Sequence, residues 1–205
     1  MSIATPGVRR IGLNEFEAMA NDGRLDPTVG VELLDGVVVP KTTKGLRHVA
    51  ITRRVQRMLR EALPPGWADL KEDPVRLQVE APGGGGAMPE PDAAVAAGGE
   101  ADYEARYPGP ADLGLVVEVA SNAKMLKADR EGLARYARNG VRVVWLVNLP
   151  ANVVEVYSDP SGPGDDPVFE GNTVARPGDT ITLDLGPLGG DGGGVVRVAV
   201  SDLLA

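Results

Sequence analysis

The chain has 205 residues, a formal charge of −8, 27 glycines, 17 prolines and no cysteine. That length suffices for one domain with a sizeable core, and the missing cysteines exclude disulfides and thiolate metal sites. The acidic balance counts against a broad nucleic-acid-coating face, though not against a small basic patch.

Residues 13–22 (LNEFEAMAND) read as a short helix, with Asn14 as its cap and Glu17 three residues on. "DGRLDPTVG" is a loop. In "VELLDGVVVP", Asp35-Gly36 predicts a hairpin turn between two short strands. Residues 47–63 (RHVAITRRVQRMLREAL) form the clearest helix: Ile51, Val55, Met58, Leu59 and Ala62 share one stripe at helical spacing. Arg53, Arg57 and Arg60 fall on the opposite side, and Pro64-Pro65 end the helix. His48 projects near the edge of the apolar stripe. "PVRLQVE" alternates as a strand does, and "PEPDAAVA" is a strand led in by prolines.

"LGLVVEVAS" is a further strand, and residues 125–138 a second long helix that Asn139-Gly140 stop. "VRVVWLVN" and "NVVEVYS" predict a hairpin through Leu149-Pro150-Ala151. "DTITLDL" and "VVRVAVSDLL" are strand-like. The Gly/Pro clusters at 82–86, 159–167 and 186–194 read as loops. Strands 115–119 and 143–147 lack alternation, as strands buried on both faces do, which argues for an α/β sandwich. No apolar run reaches the length of a membrane span and no secretion signal is visible, so a cytoplasmic protein without a membrane partner is expected.

Glu118 is the one carboxylate in "GLVVEVAS". An ionised acid among Leu115, Val116, Val117 and Val119 is costly unless paired or bound to metal. Asp92 heads another apolar strand after Pro91. Two acids on adjacent central strands can converge on one point, and such oxygen ligands suit Mg²⁺ or Mn²⁺. An ion of that kind activates water and stabilises charge on a phosphate being cleaved. Glu32 is a third acid beside an apolar run, and His48 is the only histidine. Each has a plainer reading. Asp92 could open a strand after a proline turn, and Glu118 could sit at a sheet edge or pair with an arginine. Glu32 could face solvent on its hairpin, and His48 could be a satisfied residue at a helix start. The arginine stripe could be a solvated face.

Taken together, "VELLDGVVV", "RHVAITRRVQRMLREAL", "PEPDAAV", "LVVEVASNA", "RYARNGVRVVWLVNLPANVVEVYSDP" and "PGDTITL" resemble, in order, the Uma-two family of restriction-endonuclease-type proteins on the PD-(D/E)XK nuclease fold. The resemblance spans roughly residues 13–205 and is most specific from Glu118 to Tyr157. It implies a single α/β domain over residues 1–205, restriction-endonuclease-like, with a mixed central β-sheet flanked by helices. It implies that Asp92 and Glu118 bind the divalent ion, that Glu32 points into the same site, and that His48 matches a histidine at the start of the next helix.

The departures concern a lysine. The superfamily position two residues after the second acid is Ala120, and the family position four residues before Tyr136 is Gly132. The family aspartate four residues earlier aligns with Ala128, next to Asp129. Lys124 and Lys127 are nearby, and Lys127 is the substitute whose long side chain could reach across a helix turn.

The implied function is metal-dependent hydrolysis of DNA phosphodiesters. Asp92, Glu118, Glu32 and Lys127 would be catalytic, with His48 contacting phosphate or polarising Glu32. A catalytically weak or inactive module for binding or assembly is the alternative. The missing lysine favours it, and the retained acids disfavour it. A hydrolase of a small phosphorylated molecule is a third reading, for which a closed pocket would speak. Strand edges and the apolar "VVEVY" hairpin make a homodimer the expected assembly.

Overall fold

The two apolar runs without alternation form the middle of the molecule. In a computed structural model describing residues 9–26, 28–81, 83–186 and 194–205, they are β5 (Leu113–Ala120) and β6 (Val143–Asn148). They run parallel, from Val116 opposite Val144 to Ala120 opposite Asn148. Parallel neighbours need a crossover, and helix α3 (Ala123–Arg138) provides it. The sheet is completed by β3 (Trp67–Leu70), β4 (Ala93–Ala97), β7 (Val153–Pro160) and β8 (Phe169–Ala175), in the order β3-β4-β5-β6-β7-β8. All its other pairings are antiparallel.

Each sheet face buries its own apolar layer. Leu115, Val117, Val119 and Trp145 pack with Ile51, Val55 and Leu59 of α2 (Leu46–Ala62). The same layer takes in β9 (Thr180–Asp184), β10 (Val195–Ala199) and α4 (Val200–Leu204). Val116, Ala120, Val144 and Leu146 face the other way, with Tyr136 of α3. This is the expected mixed sheet with helices on both sides. A separate hairpin, β1 (Val31–Leu34) and β2 (Val37–Pro40), turns at Asp35 and Gly36 with φ of 50° and 81°. Two left-handed residues in succession are the requirement of a tight primed turn. Helix α1 (Leu13–Asn21) packs on this hairpin through Leu13 and Phe16 against Leu33 and Met88.

Some local expectations are corrected. Gly12, not Asn14, occupies the N-cap of α1, and no side chain caps it. Asn14 and Glu17 instead accept hydrogen bonds from Arg76. The segment "PVRLQVE" is extended but makes only an isolated bridge, Leu77 to Ala87. Its alternation reflects buried Val75 and Leu77 with Arg76 turned toward α1. "VVRVAVSDLL" splits into β10 and α4: the Val200 N–H donates to the Asp179 carbonyl at 3.0 Å, one step past the last Ala199–Thr180 pair, and the helix begins there. Of the Gly-rich stretch 186–194, residues 187–193 lie outside the described residues.

Glu155 of β7 fixes α3 against the sheet. It is only 4% exposed and accepts from Arg130 of α3 at 2.6 Å, Asn148 of β6 at 2.7 Å and the Tyr157 hydroxyl at 2.6 Å. Burial alone would raise its pKa, but Arg130, Tyr157 and Asn148 outweigh burial and hold it below the ordinary value. Arg130 is half exposed, so its charge adds little. Glu155→Ala strips the acceptor from a buried amide and a buried hydroxyl and is expected to cost about 2–4 kcal/mol, read as a lower urea midpoint at unchanged m-value.

Candidate active site

The β4–β5 ladder ends with Ala93 opposite Val117. Asp92 immediately precedes Ala93 and Glu118 immediately follows Val117, so the two acids flank this last pair of the ladder. Asp92 is 5% exposed and bonded on every side. Its Oδ2 accepts the Val119 N–H at 2.8 Å. Its Oδ1 accepts from His48 Nε2 at 2.9 Å and Lys44 Nζ at 2.7 Å. Gln56 donates to its backbone carbonyl at 2.9 Å. Three of these groups come from α2 or the loop leading into it. Glu118 is held from the opposite helix: the Tyr136 hydroxyl of α3 donates to its Oε1 at 2.7 Å.

Both acids line one cavity of about 370 Å³ between α3, the start of α2 and the β1–β2 hairpin. Glu32 and Asp129 complete an acidic wall; Lys41, Lys44, Lys124 and Arg135 also line it. The hairpin is docked through Asp35, whose carboxylate takes Arg135 and Arg138 of α3, each at 3.1 Å. That clamp sets the position of Glu32 relative to Asp129.

The paired acids are pushed apart electrostatically. For Asp92, burial opposes ionisation but is outweighed by the His48 hydrogen bond and by Lys44, so its pKa falls below the usual value. Burial pushes Glu118 well above the usual range, and the charges of Asp92 and Asp129 add to this. Asp129 is pushed up to about 7 by burial and by Asp92, and burial also raises Glu32. Such a cluster holds spare protons near neutral pH that a bound cation would displace.

Among the described residues, no three His, Cys, Asp or Glu side chains are gathered as a ready-made ligand cluster. The donor chemistry nonetheless fits a hard divalent ion, since Mg²⁺ commonly takes one or two carboxylates and keeps several waters. Two carboxylates line the same cavity, Tyr136 bonds one oxygen of Glu118, and the Lys44 ammonium lies against Asp92 where a cation is favoured.

The structure therefore brings together Asp92, Glu118, Glu32 and His48. It does not bring in Lys127, whose side chain is 79% exposed, with Nζ 3.8 Å from Glu131 on the same helix. A lysine there follows the outer face of α3, whereas Asp129 and Tyr136 follow the inner one. Nor do Arg53, Arg57 and Arg60 line the cavity; Arg60 pairs with Asp69 at 2.8 Å, and Arg57 lines a different groove beside Arg197. In the sequence, Tyr136 serves only as the family landmark that locates Gly132, without a role at the site, and Lys44 not at all. Lys44 had no signal, because it lies in a polar loop.

The family model described as "Putative restriction endonuclease", Uma2, matches residues 13–186. The chain belongs to the Uma2 family. A similar fold is found in the crystal structure of a "putative nuclease belonging to DUF820" from Anabaena variabilis, with a TM-score of 0.67 and 15% identity, covering 95% of this chain and 97% of that one. No curated protein matches the chain. At the two positions where the resemblance implied a lysine, Ala120 is buried in the sheet, and Gly132 lines the cavity without a side chain.

Proposed function

We propose that this Uma2 protein is a divalent-metal-dependent endonuclease acting on DNA. The observation that carries the reading is that Asp92 and Glu118, which flank the last pair of the β4–β5 ladder, both line one cavity. A bound Mg²⁺ or Mn²⁺ supplies Lewis-acid activation of water and charge to offset that of a scissile phosphate. Asp92 and Glu118 hold the ion. His48 orients Asp92, keeping its proton on Nε2 toward the carboxylate. Tyr136 fixes the rotamer of Glu118. Glu32 and Asp129 tune the charge of the cavity. Lys41, Lys44, Lys124 and Arg135 give an otherwise acidic protein a local means of admitting phosphate. A symmetric pair of copies would present two such sites to two strands.

The test is conversion of supercoiled plasmid to nicked circles. Nicking is expected with Mn²⁺ or Mg²⁺ and is expected to stop on chelation. One observation favours a second reading, a binding or assembly module: Gly132 offers no cation from α3. Calorimetric Mn²⁺ binding without any nicking would decide for that module.

A further inference from the structure

Cleaving a phosphodiester builds negative charge on phosphate oxygens, in a cavity already walled by Glu32, Asp92, Glu118 and Asp129. The chain must supply a cation close to the Asp92–Glu118 pair. The cations can be separated by where they are held. Lys41 is paired with Glu90 and Arg135 with Asp35. Lys127 points to solvent. Lys124 lines the cavity from the first turn of α3. Lys44 differs in that its ammonium touches Asp92 itself: its Nζ lies 2.7 Å from Asp92 Oδ1 and 2.7 Å from Glu72 Oε1. Glu72 holds it from a residue at φ 54°, a left-handed conformation that costs a non-glycine residue energy and so needs support from its surroundings.

We propose that Lys44, delivered from the loop ahead of α2, is the lysine that contacts the scissile phosphate in this chain. It fills from the α2 side the place that Gly132 leaves empty on α3. The inference rests on the endonuclease reading. In the hydrolysis, the hydroxyl of water ends on phosphorus, the bond from phosphorus to the sugar oxygen breaks, and the hydrogen ends on that oxygen. Lys44 exchanges no proton in this. It contributes a fixed positive charge and a hydrogen-bond donor on a stem long enough to swing from Asp92 to phosphate. Until then it stands beside Asp92 in competition with the divalent ion.

The test uses the full chain and four variants: Lys44→Ala, Lys127→Ala, Gly132→Lys, and Lys44→Ala combined with Gly132→Lys. There is room for the new side chain, since a Cβ at Gly132 meets only Arg135 Nη1, at 3.4 Å. Expected for Lys44→Ala is Mn²⁺ affinity equal to the parent or severalfold tighter by calorimetry, because a competing cation is gone. Its nicking at saturating Mn²⁺ should fall at least about a hundredfold. Lys127→Ala should nick like the parent. The double variant should recover nicking to within about tenfold of the parent, since an ammonium is restored from the other wall. Parent-like nicking by Lys44→Ala overturns the inference and leaves the endonuclease reading standing. So does a parallel loss of Mn²⁺ binding, which would make Lys44 an organiser of the ligands. Failure of the double variant to recover, with Mn²⁺ binding intact, also overturns it. A parent that binds Mn²⁺ and never nicks overturns both.

Discussion

Glu118→Gln is expected to abolish Mn²⁺-dependent nicking while raising the melting temperature of the metal-free protein. The loss follows from removing one of the two ligands. The ion's charge stabilisation is worth several kcal/mol, and each 1.4 kcal/mol is a factor of ten in rate, so the fall is on the order of a thousandfold. The gain in stability follows from the environment of the carboxyl. Burial, with Asp92 and Asp129 close by, pushes the Glu118 pKa well above its ordinary 4.5. Holding it ionised in the empty site costs free energy, and a neutral amide can still accept from Tyr136. The unfolded chain gives up this proton near the ordinary value and the native chain gives it up later, so the penalty grows as pH rises. The stability advantage of Glu118→Gln should therefore be absent near about pH 4 and largest well above neutrality. Scanning calorimetry at several pH values, beside plasmid nicking, checks both halves. A variant less stable than the parent at high pH would place the cost elsewhere.

The second large effect is a metal response that strengthens with pH. Burial and Asp92 push Asp129 up to about 7, and burial pushes Glu118 well above its ordinary range, so an entering cation must displace protons below about pH 7. Without metal, these raised acids make stability decline as pH climbs from the ordinary carboxylate range through about 7. With metal the trend reverses. At a hundredfold excess over Kd, an ion that binds only the native state adds about 2.7 kcal/mol. For a chain of this size that is a rise of about 5–10 °C. Displacing one proton from a group at about 7 weakens apparent affinity about thirtyfold at pH 5.5. Differential scanning with Mn²⁺ should show the full shift at about pH 8 and a small one at about pH 5.5. An equal shift at both would mean that the ion binds away from these acids.

Much of this arrangement is legible in residues, and the reasons for the gaps are physical. β5 and β6 declare themselves because strands buried on both faces are continuously apolar, which also makes the acid at 118 conspicuous. The hairpin declares itself because Asp35-Gly36 suits two left-handed residues. β3 and β8 do not. β3 is only four residues long and begins two residues after a proline pair, and β8 is an edge strand in which Glu170 and Asn172 are exposed. The cap of α3 at Asn122, which accepts from Lys124 and Met125, lies three residues before the helix start read from sequence. That Asp92 and Glu118 line one cavity depends on the β4–β5 register, which a pattern of types suggests but only pairing fixes. Lys44 is illegible because nothing in "PKTTKGL" distinguishes a lysine turned inward from one turned to water.

The hairpin that carries Glu32 is its own two-stranded sheet, tied to α3 through Asp35 and not hydrogen-bonded into the six-stranded one. The cavity thus has two walls held by separate means: the six-stranded sheet on one side and, on the other, a hairpin fixed by the Asp35 pairs and the Leu33–Met88 bridge. Cations of different radius demand different oxygen spacings. A change at Asp35, Arg135 or Arg138 should therefore alter the preference among ions through Glu32, although none of these residues need touch one.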